Sequence, residues 1–499
     1  MMPVSSSPLV LGLVVGMLAI APCAWAGVQI WPAPPGEKLY DGYTVRVDGR
    51  PAPVYACRVS AAPFNQVWPG YQRPIDQTEL AGFATWDMAG AVTVRIEAAR
   101  PFSSVVVRPL ALGIRPTVDG RSVTFRLAKP GQIAVEFDGP HHALHLFANA
   151  PEKAAPKAHA DNVLYFGPGV HHPGKLHLRS GQTLYVAGGA VVYTAVDVRQ
   201  AKGVRILGRG VIDTSEYERG QGGGCIRLTD SSDVQIDGVI LRDPDVWCLA
   251  AFGCENLSIS NVKLIGLWRY NADGIDICNS RNVSIRGCFV RSFDDGIVVK
   301  GLRWGPGDAH DRPDANIEAR NLVVWCDWGK ALEIGAETSA PEIRDIRFQD
   351  IDIIRTTHVA MDIQNGDRAV VSHVRYANIR VEIDDHTPTP KMQTAREERY
   401  ADDPGNTTFP ILIAIVIDRN AYSQDTQRGH IRDIEYRDIS VIGRRTLASY
   451  IRGLDQDHRV EGVTIRNLRM GGRRISTPEA ARIAIGPFAE DVSIAEGGR

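Results

Sequence analysis

A short segment of the form Asx/Gly–aliphatic–x–Ile–x–Asn/Gly returns many times between residues 200 and 470, and it constrains the fold of this 499-residue chain more than any other feature. It reads Val204-Arg-Ile206-Leu-Gly208, Val234-Gln-Ile236-Asp-Gly238, Leu257-Ser-Ile259-Ser-Asn261 and Val283-Ser-Ile285-Arg-Gly287. It returns as Ile346-Arg-Phe348-Gln-Asp350, Ile434-Glu-Tyr436-Arg-Asp438 and Val463-Thr-Ile465-Arg-Asn467. Copies lie roughly 23 to 30 residues apart over much of the stretch, the spacing of a solenoid. Helical periodicity is nearly absent, so each repeat is expected to form one turn of a parallel β-helix with its aliphatics inward, stacked coil on coil. Asn and Gly at the segment ends turn the chain, since both tolerate left-handed backbone angles.

The first 150 residues obey a different pattern. Runs such as Tyr43-Thr-Val45-Arg-Val47, Val92-Thr-Val94-Arg-Ile96, Val123-Thr-Phe125-Arg-Leu127 and Ile133-Ala-Val135-Glu-Phe137 alternate with period two, with Gly, Pro and Asp between them. That is the signature of a β-sandwich. The fold class is therefore all-β: a sandwich over residues 27–158, joined by a small, polar linker to a β-helix over 159–499. The sandwich is expected to cap the hydrophobic end of the helix, because an uncovered coil end invites aggregation. A short helix over Pro478 to Ile485 is expected to cover the other end.

Residues 1–26 read as a signal peptide, with an apolar stretch from Leu9 to Ile20 and Ala24-Trp25-Ala26 as the cleavage site. The expected location is secreted or periplasmic. No later segment has 18 uninterrupted apolar residues, so no membrane span is expected. The formal net charge is −2 with no long basic run, which gives nucleic acid no electrostatic footprint. Seven cysteines remain after Cys23, without a CxxC pair; at least one should be a free, buried thiol, and a structural zinc site is not expected. No feature of the sequence fixes an oligomeric state.

Four aspartates fall within 23 residues, in Asn271-Ala-Asp273-Gly-Ile-Asp276 and Asp294-Asp295-Gly296, with Lys300 close behind. Carboxylates packed among apolar residues push each other's pKa values apart, so that one stays protonated while another stays ionised. A glycosidase needs that division: an acid for the leaving oxygen, and bases for water. The same residues could instead form surface turns or an acidic ladder for calcium. One coil of sequence separates Asp273 from Asp294, which places them on adjacent rungs with Asp295 beside Asp294.

At this point the chain resembles the polygalacturonase-like clan of glycoside hydrolases, which are right-handed parallel β-helices. Asn271 to Asp276 is similar to their Asn-Thr-Asp-Gly-x-Asp motif, and Asp294 to Lys300 is similar to Asp-Asp-x-x-x-x-Lys. The segments Asp243-Pro-Asp245-Val-Trp247 and Cys254-Glu-Asn-Leu-Ser-Ile259 match in type and order. The resemblance implies Asp294 as general acid, Asp273 and Asp295 as activators of water, Asp276 in support, inversion of configuration, and no metal or organic cofactor.

Departures from the pattern bear on the substrate. The Gly-His-Gly of pectin-cleaving members is replaced by Gly329-Lys330-Ala-Leu-Glu333-Ile-Gly335, and their Arg-Ile-Lys by Met361-Asp362-Ile-Gln364-Asn365. Asp362, Gln364, Asn365 and Glu337 suit neutral hydroxyls better than a uronate. A sandwich joined to such a helix resembles glycoside hydrolase family 49, the dextranase and isopullulanase group. The expected partner is therefore a polysaccharide or oligosaccharide, foremost a neutral α-glucan. A polygalacturonase-type pectin hydrolase, a lyase and a purely glycan-binding solenoid are the alternatives. Trp268, Tyr270 and Trp304 are expected sugar platforms, and Lys330 is expected to pair with Glu333, pair with a cluster aspartate, or touch substrate.

Overall fold

The computed structural model describes residues 27–61, 74–152, 155–303, 311–391 and 400–495. The expected signal peptide and Trp304 lie outside these residues. Among the described residues no helix is long and apolar enough to cross a membrane.

Among residues 27–61 and 74–149 the strands form two packed sheets. One has five strands and includes Tyr43–Val47, Val92–Ala98 and Ser122–Leu127; the other has six and includes Thr78–Ala89, Gly131–Phe137 and Leu144–Asn149. Alternating side chains from both, among them Val45, Trp86, Val94, Phe125, Ile133 and Leu146, meet in one core. The period-two pattern of the sequence is the cause: every second residue is apolar and faces the opposite sheet.

From Val163 the chain winds into a parallel β-helix with strands merged into a 20-stranded and an 11-stranded sheet. The sequence repeats are the interior-facing strands of the larger sheet. Two copies hidden in the sequence fill its gaps, because Ala319 and Tyr376 stand where isoleucine is usual. They lie in one column with Phe348 and Tyr436. Phe348, Tyr376 and Tyr436 stack at 4.9 and 4.7 Å between ring centres.

The Asx positions that open each repeat do turn the chain with left-handed angles: φ is 55° at Asp233, 59° at Asn256, 58° at Asn282 and 56° at Asn316. Their side chains also link coil to coil. Asn256 donates to Asp233 at 2.9 Å, Asn282 to Asn256 at 3.1 Å, and Asn316 to Asn282 at 2.9 Å. A short polar side chain that tolerates positive φ and can both give and accept is what such a ladder requires.

The sandwich does not cap the end of the helix, as expected from sequence. It lies along the side. Tyr55, Val59, Phe83 and Phe147 of the six-stranded sheet pack on Val191, Val211, Ile240, Ile265, Phe289, Trp325 and Ile354 of successive coils. These strands carry apolar residues on both faces, one for the sandwich core and one for the solenoid. Buried ion pairs rim the contact. Arg108 Nε lies 2.8 Å from Glu136; Arg355 Nη2 lies 2.6 Å from Glu136, and its Nη1 2.6 Å from Asp384. Arg355→Met strips a buried carboxylate of a partner and should lower stability by about 3 kcal/mol, read as an earlier urea midpoint. An unchanged midpoint would show that Arg108 alone suffices for Glu136.

All seven described cysteines are free and buried. The helix expected at Pro478 to Ile485 is instead a turn followed by the strand Ile483–Ile485, parallel to Ala448–Arg452. An open strand edge offers backbone partners that a two-turn helix would leave unused.

Candidate active site

The outward residues of the 11-stranded sheet form rows parallel to the solenoid axis, about 4.8 Å per coil. One row runs Asp197, Arg227, Ala250, Asp276, Val298, Glu333 and Asp362. A second row lies at the turns just before these strands. The bonds Cys248 N to Asp273 O, Gly274 N to Asp295 O and Gly296 N to Lys330 O order it as Trp247, Asp273, Asp295, Lys330. Asp295, not Asp294, is thus the rung neighbour of Asp273. The turn causes the one-residue offset: Phe293 N and Asp294 N both donate to Ala272 O, at 3.3 and 3.2 Å.

Lys300 is the centre of the site. Its Nζ lies 3.5 Å from Asp273, 3.8 Å from Asp276, 3.9 Å from Asp295 and 3.6 Å from Glu337. It also sits 4.5 Å over the ring of Trp247. Lys330 forms a smaller centre: its Nζ is 3.0 Å from Glu333 and 3.7 Å from Asp295, and its backbone N–H donates to Asp295 at 2.9 Å. Both pairings expected for Lys330 are therefore made.

This arrangement separates the carboxylates by charge state. Burial opposes ionisation of Asp295, but Lys330, a hydrogen bond with Glu333 and Lys300 outweigh it and hold the group down at about 2. Burial and then the Asp295 charge push Asp294 up to about 7, against Lys330 and Lys300. Burial drives Asp276 to about 8 despite Lys300, and burial drives Asp362 to about 7 despite Lys330. Asp273 and Glu333 are raised well above their ordinary values, burial first and neighbouring carboxylates second. One ionised carboxylate thus stands beside a half-buried acid that keeps its proton near neutrality. Neither oxygen of Asp276, nor Oδ1 of Asp273, meets a hydrogen-bond donor among the described residues. Their burial is tolerable because both carboxyls are raised and so keep a proton in place of a full charge.

The remaining candidates divide. Gln364 points outward and is half-buried, but Asn365 is fully buried and structural: it accepts from Thr338 Oγ1 at 2.6 Å and donates to Ala369 O at 2.8 Å. Trp268 is not a sugar platform; it is 5% exposed, and its Nε1 donates to Asp243 at 2.9 Å. Tyr270 lies at the rim, its ring 5.5 Å beneath the Arg219 guanidinium. Trp304 falls outside the described residues. His358 stacks on Trp328 at 5.0 Å, and burial, with help from Lys330, lowers it to about 3, so it is neutral.

Two residues escaped the sequence reading, and a third, Trp247, was seen there only as part of a matching segment. Arg219 donates to Asn271 Oδ1 at 2.6 Å, and Asn271 Nδ2 donates to Asp294 at 3.5 Å, so a relay from a distant turn holds the acid. Trp247 occupies the place of Asp273 one coil earlier, and applying the one-coil offset upstream would have found it. Tyr422 is exposed, and burial and then the charge of Asp294 raise its hydroxyl, which sets it by the cluster. No local motif marks it.

The described residues thus form a parallel β-helix with an aspartate cluster on the outer face of one sheet. The family model described as "Glycosyl hydrolases family 28" matches residues 174–387, the part that carries the whole cluster. The chain is 28% identical over 132 residues to a probable polygalacturonase of Vitis vinifera, covering 26% of this chain and 27% of that protein. It is 26% identical over 153 residues to Rhamnogalacturonase A of Emericella nidulans, covering 31% of this chain and 27% of the relative. The matched stretch thus spans about a quarter of the length of each curated relative. Among solved structures, Dex49A from Penicillium minioluteum has a TM-score of 0.52 at 13% identity, covering 92% of this chain and 94% of that one. That likeness is one of fold.

Proposed function

We propose that this protein hydrolyses an α-glycosidic bond in a pectic glycan whose backbone includes uronic acid, with inversion of configuration. The observation that carries the reading is the division of charge between adjacent residues: Asp295 held ionised at about 2, Asp294 kept protonated to about 7. Asp294 gives its proton to the leaving oxygen as the bond to the anomeric carbon breaks. Water attacks that carbon from the other face and passes its proton to Asp295. Asp273, raised by burial, serves to hold the water rather than to accept its proton. This differs from the equal roles expected for Asp273 and Asp295.

The neutral α-glucan expected from the missing Arg-Ile-Lys gives way to the pectic alternative. The curated relatives are named for polygalacturonan and rhamnogalacturonan, while the glucan reading rested on architecture, which fold likeness alone does not extend to substrate.

Two measurements test this reading. Proton NMR of reducing ends released from rhamnogalacturonan should show the β-anomer first; an α-anomer formed first would overturn inversion, and cleavage of dextran but not of either pectic polymer would overturn the substrate. In the pH profile of kcat/KM, activity should fall as pH rises through about 7, where Asp294 loses its proton. On the acid side it should persist to about 2, where Asp295 gains one. A profile flat from pH 5 to 9 would dismiss Asp294 as the acid.

A further inference from the structure

Glu333 is a buried carboxyl to which the hydrolysis above assigns no step. It lies on the strand Lys330–Thr338, between Val298 and Asp362 in the outward row, and its side chain is wholly shielded from solvent. The Lys330 ammonium stands 3.0 Å from its Oε1; apart from that group, neither oxygen meets a donor among the described residues.

Glu333 nevertheless shares a hydrogen bond with Asp295. Two carboxylates have no hydrogen to share, so one of the pair must carry a proton. The surroundings decide which. Asp295 accepts the Lys330 backbone N–H at 2.9 Å, and has the Lys330 ammonium at 3.7 Å and the Lys300 ammonium at 3.9 Å. Glu333 has one cation, which it shares with Asp295. Burial first, and then the Asp295 charge, raise Glu333 well above its usual range, whereas Lys330 and Lys300 hold Asp295 at about 2 against burial. The proton therefore belongs to Glu333. Of the other groups around the pair, Asp273, Asp276, Asp294 and Asp362 are all raised, burial first. His358 and the hydroxyls of Tyr376 and Tyr422 are neutral, and Lys300 is shared with Glu337.

Resting on the reading of Asp295 as the base, we infer that Glu333 is a positioning residue: it keeps its own proton, donates a hydrogen bond to the Asp295 carboxylate, and so keeps that base ionised in acid. It acts through Asp295 and has no need to touch the substrate. A neutral donor serves here where a second charged one would not, because it stabilises the carboxylate without adding a further ion to a buried cluster.

The test reads the acid limb of kcat/KM on rhamnogalacturonan, or on polygalacturonan if that is the polymer cleaved. Each variant is compared with its parent on the same polymer, whose own carboxyl groups titrate alike throughout. Glu333→Leu removes the donor and makes ionised Asp295 less stable, so the limb should move up by about one to two pH units from its parental place at about 2. Glu333→Gln keeps a donor of the same shape and should hold the limb close to the parental one. The alkaline limb belongs to Asp294 and should stay at about 7 in both. An ionised Glu333 predicts the opposite sign, since deleting a negative charge beside Asp295 lowers the limb in either variant. That outcome overturns the assignment, as does a limb unmoved by Glu333→Leu or a joint shift of both limbs. A second readout needs no turnover: the infrared difference between parent and Glu333→Gln near neutral pH should show the loss of a protonated carboxyl band, and the loss of a carboxylate band instead would overturn the assignment too. If melting curves show that Glu333→Leu does not fold, Glu333→Gln and the spectrum decide. If the parent cleaves neither pectic polymer, the functional reading falls, and the spectrum alone decides whether Glu333 holds the proton of the pair.

Discussion

Asp294→Asn is expected to lower kcat by about three orders of magnitude, within the range for loss of a general acid, while KM moves by less than about threefold. The substitution is nearly isosteric, and Asn271 and Arg219 still frame the site, so the fold should survive. What disappears is the proton for the leaving oxygen. A glycosyl fluoride, whose leaving group needs no proton, should therefore be cleaved by the variant at close to the parental rate, and the fall in activity above pH 7 should vanish with the carboxyl group. Asp295→Asn should behave differently, losing activity on the natural glycan and on the fluoride alike, because attack by water is common to both. Equal loss by Asp294→Asn on the two substrates would place Asp294 elsewhere in the reaction.

Lys300→Met should produce the largest loss of stability of any single change in the cleft, about 3 to 5 kcal/mol at pH 8.5. Four carboxylates lie within 3.9 Å of its ammonium, and all are left without that cation. The direction with pH follows from linkage. Asp276 already titrates at about 8 in the folded protein, against about 4 in an unfolded chain, so the folded state binds the extra proton. That contribution is complete below about pH 4 and is lost as pH rises through the folded value; without Lys300 the folded value rises further. The variant should then show a smaller deficit at pH 5, where Asp276 keeps its proton and the ionised Asp295 is left without the cation, than above pH 8, as urea unfolding at the two pH values would show. A deficit independent of pH would mean that packing of the lysine stem against Trp247 outweighs charge.

Much of this was legible because a solenoid writes each coil into the sequence. The inward aliphatics, the Asx turns and the two aspartate motifs are local patterns, and Asp273, Asp276, Asp295 and Lys300 do converge. Copies with Ala319 or Tyr376 at the core position were harder to see, since volume in a shared column is exchanged between coils and no single coil obeys the rule. The register of Asp294 escaped because one tightened turn shifts the chain by a residue. Trp268 and Trp247 look alike in sequence; only the path of the turns decides that one is buried against Asp243 and the other floors the cleft. Arg219 reaches the site from 52 residues before Asn271, a distance over which sequence carries no signal.

The position of the sandwich changes how the solenoid comes apart. A bare array of coils, each touching only its neighbours, can peel open from either end one rung at a time. Here a rigid second body is fastened across the flank from Val191 to Ile354, with ion pairs reaching Asp384. To release any one of those rungs, the whole splint must first lift away. The N-terminal two thirds of the helix is thereby converted from a zipper into a single block, and that block carries Asp273, Asp294, Asp295 and Lys300.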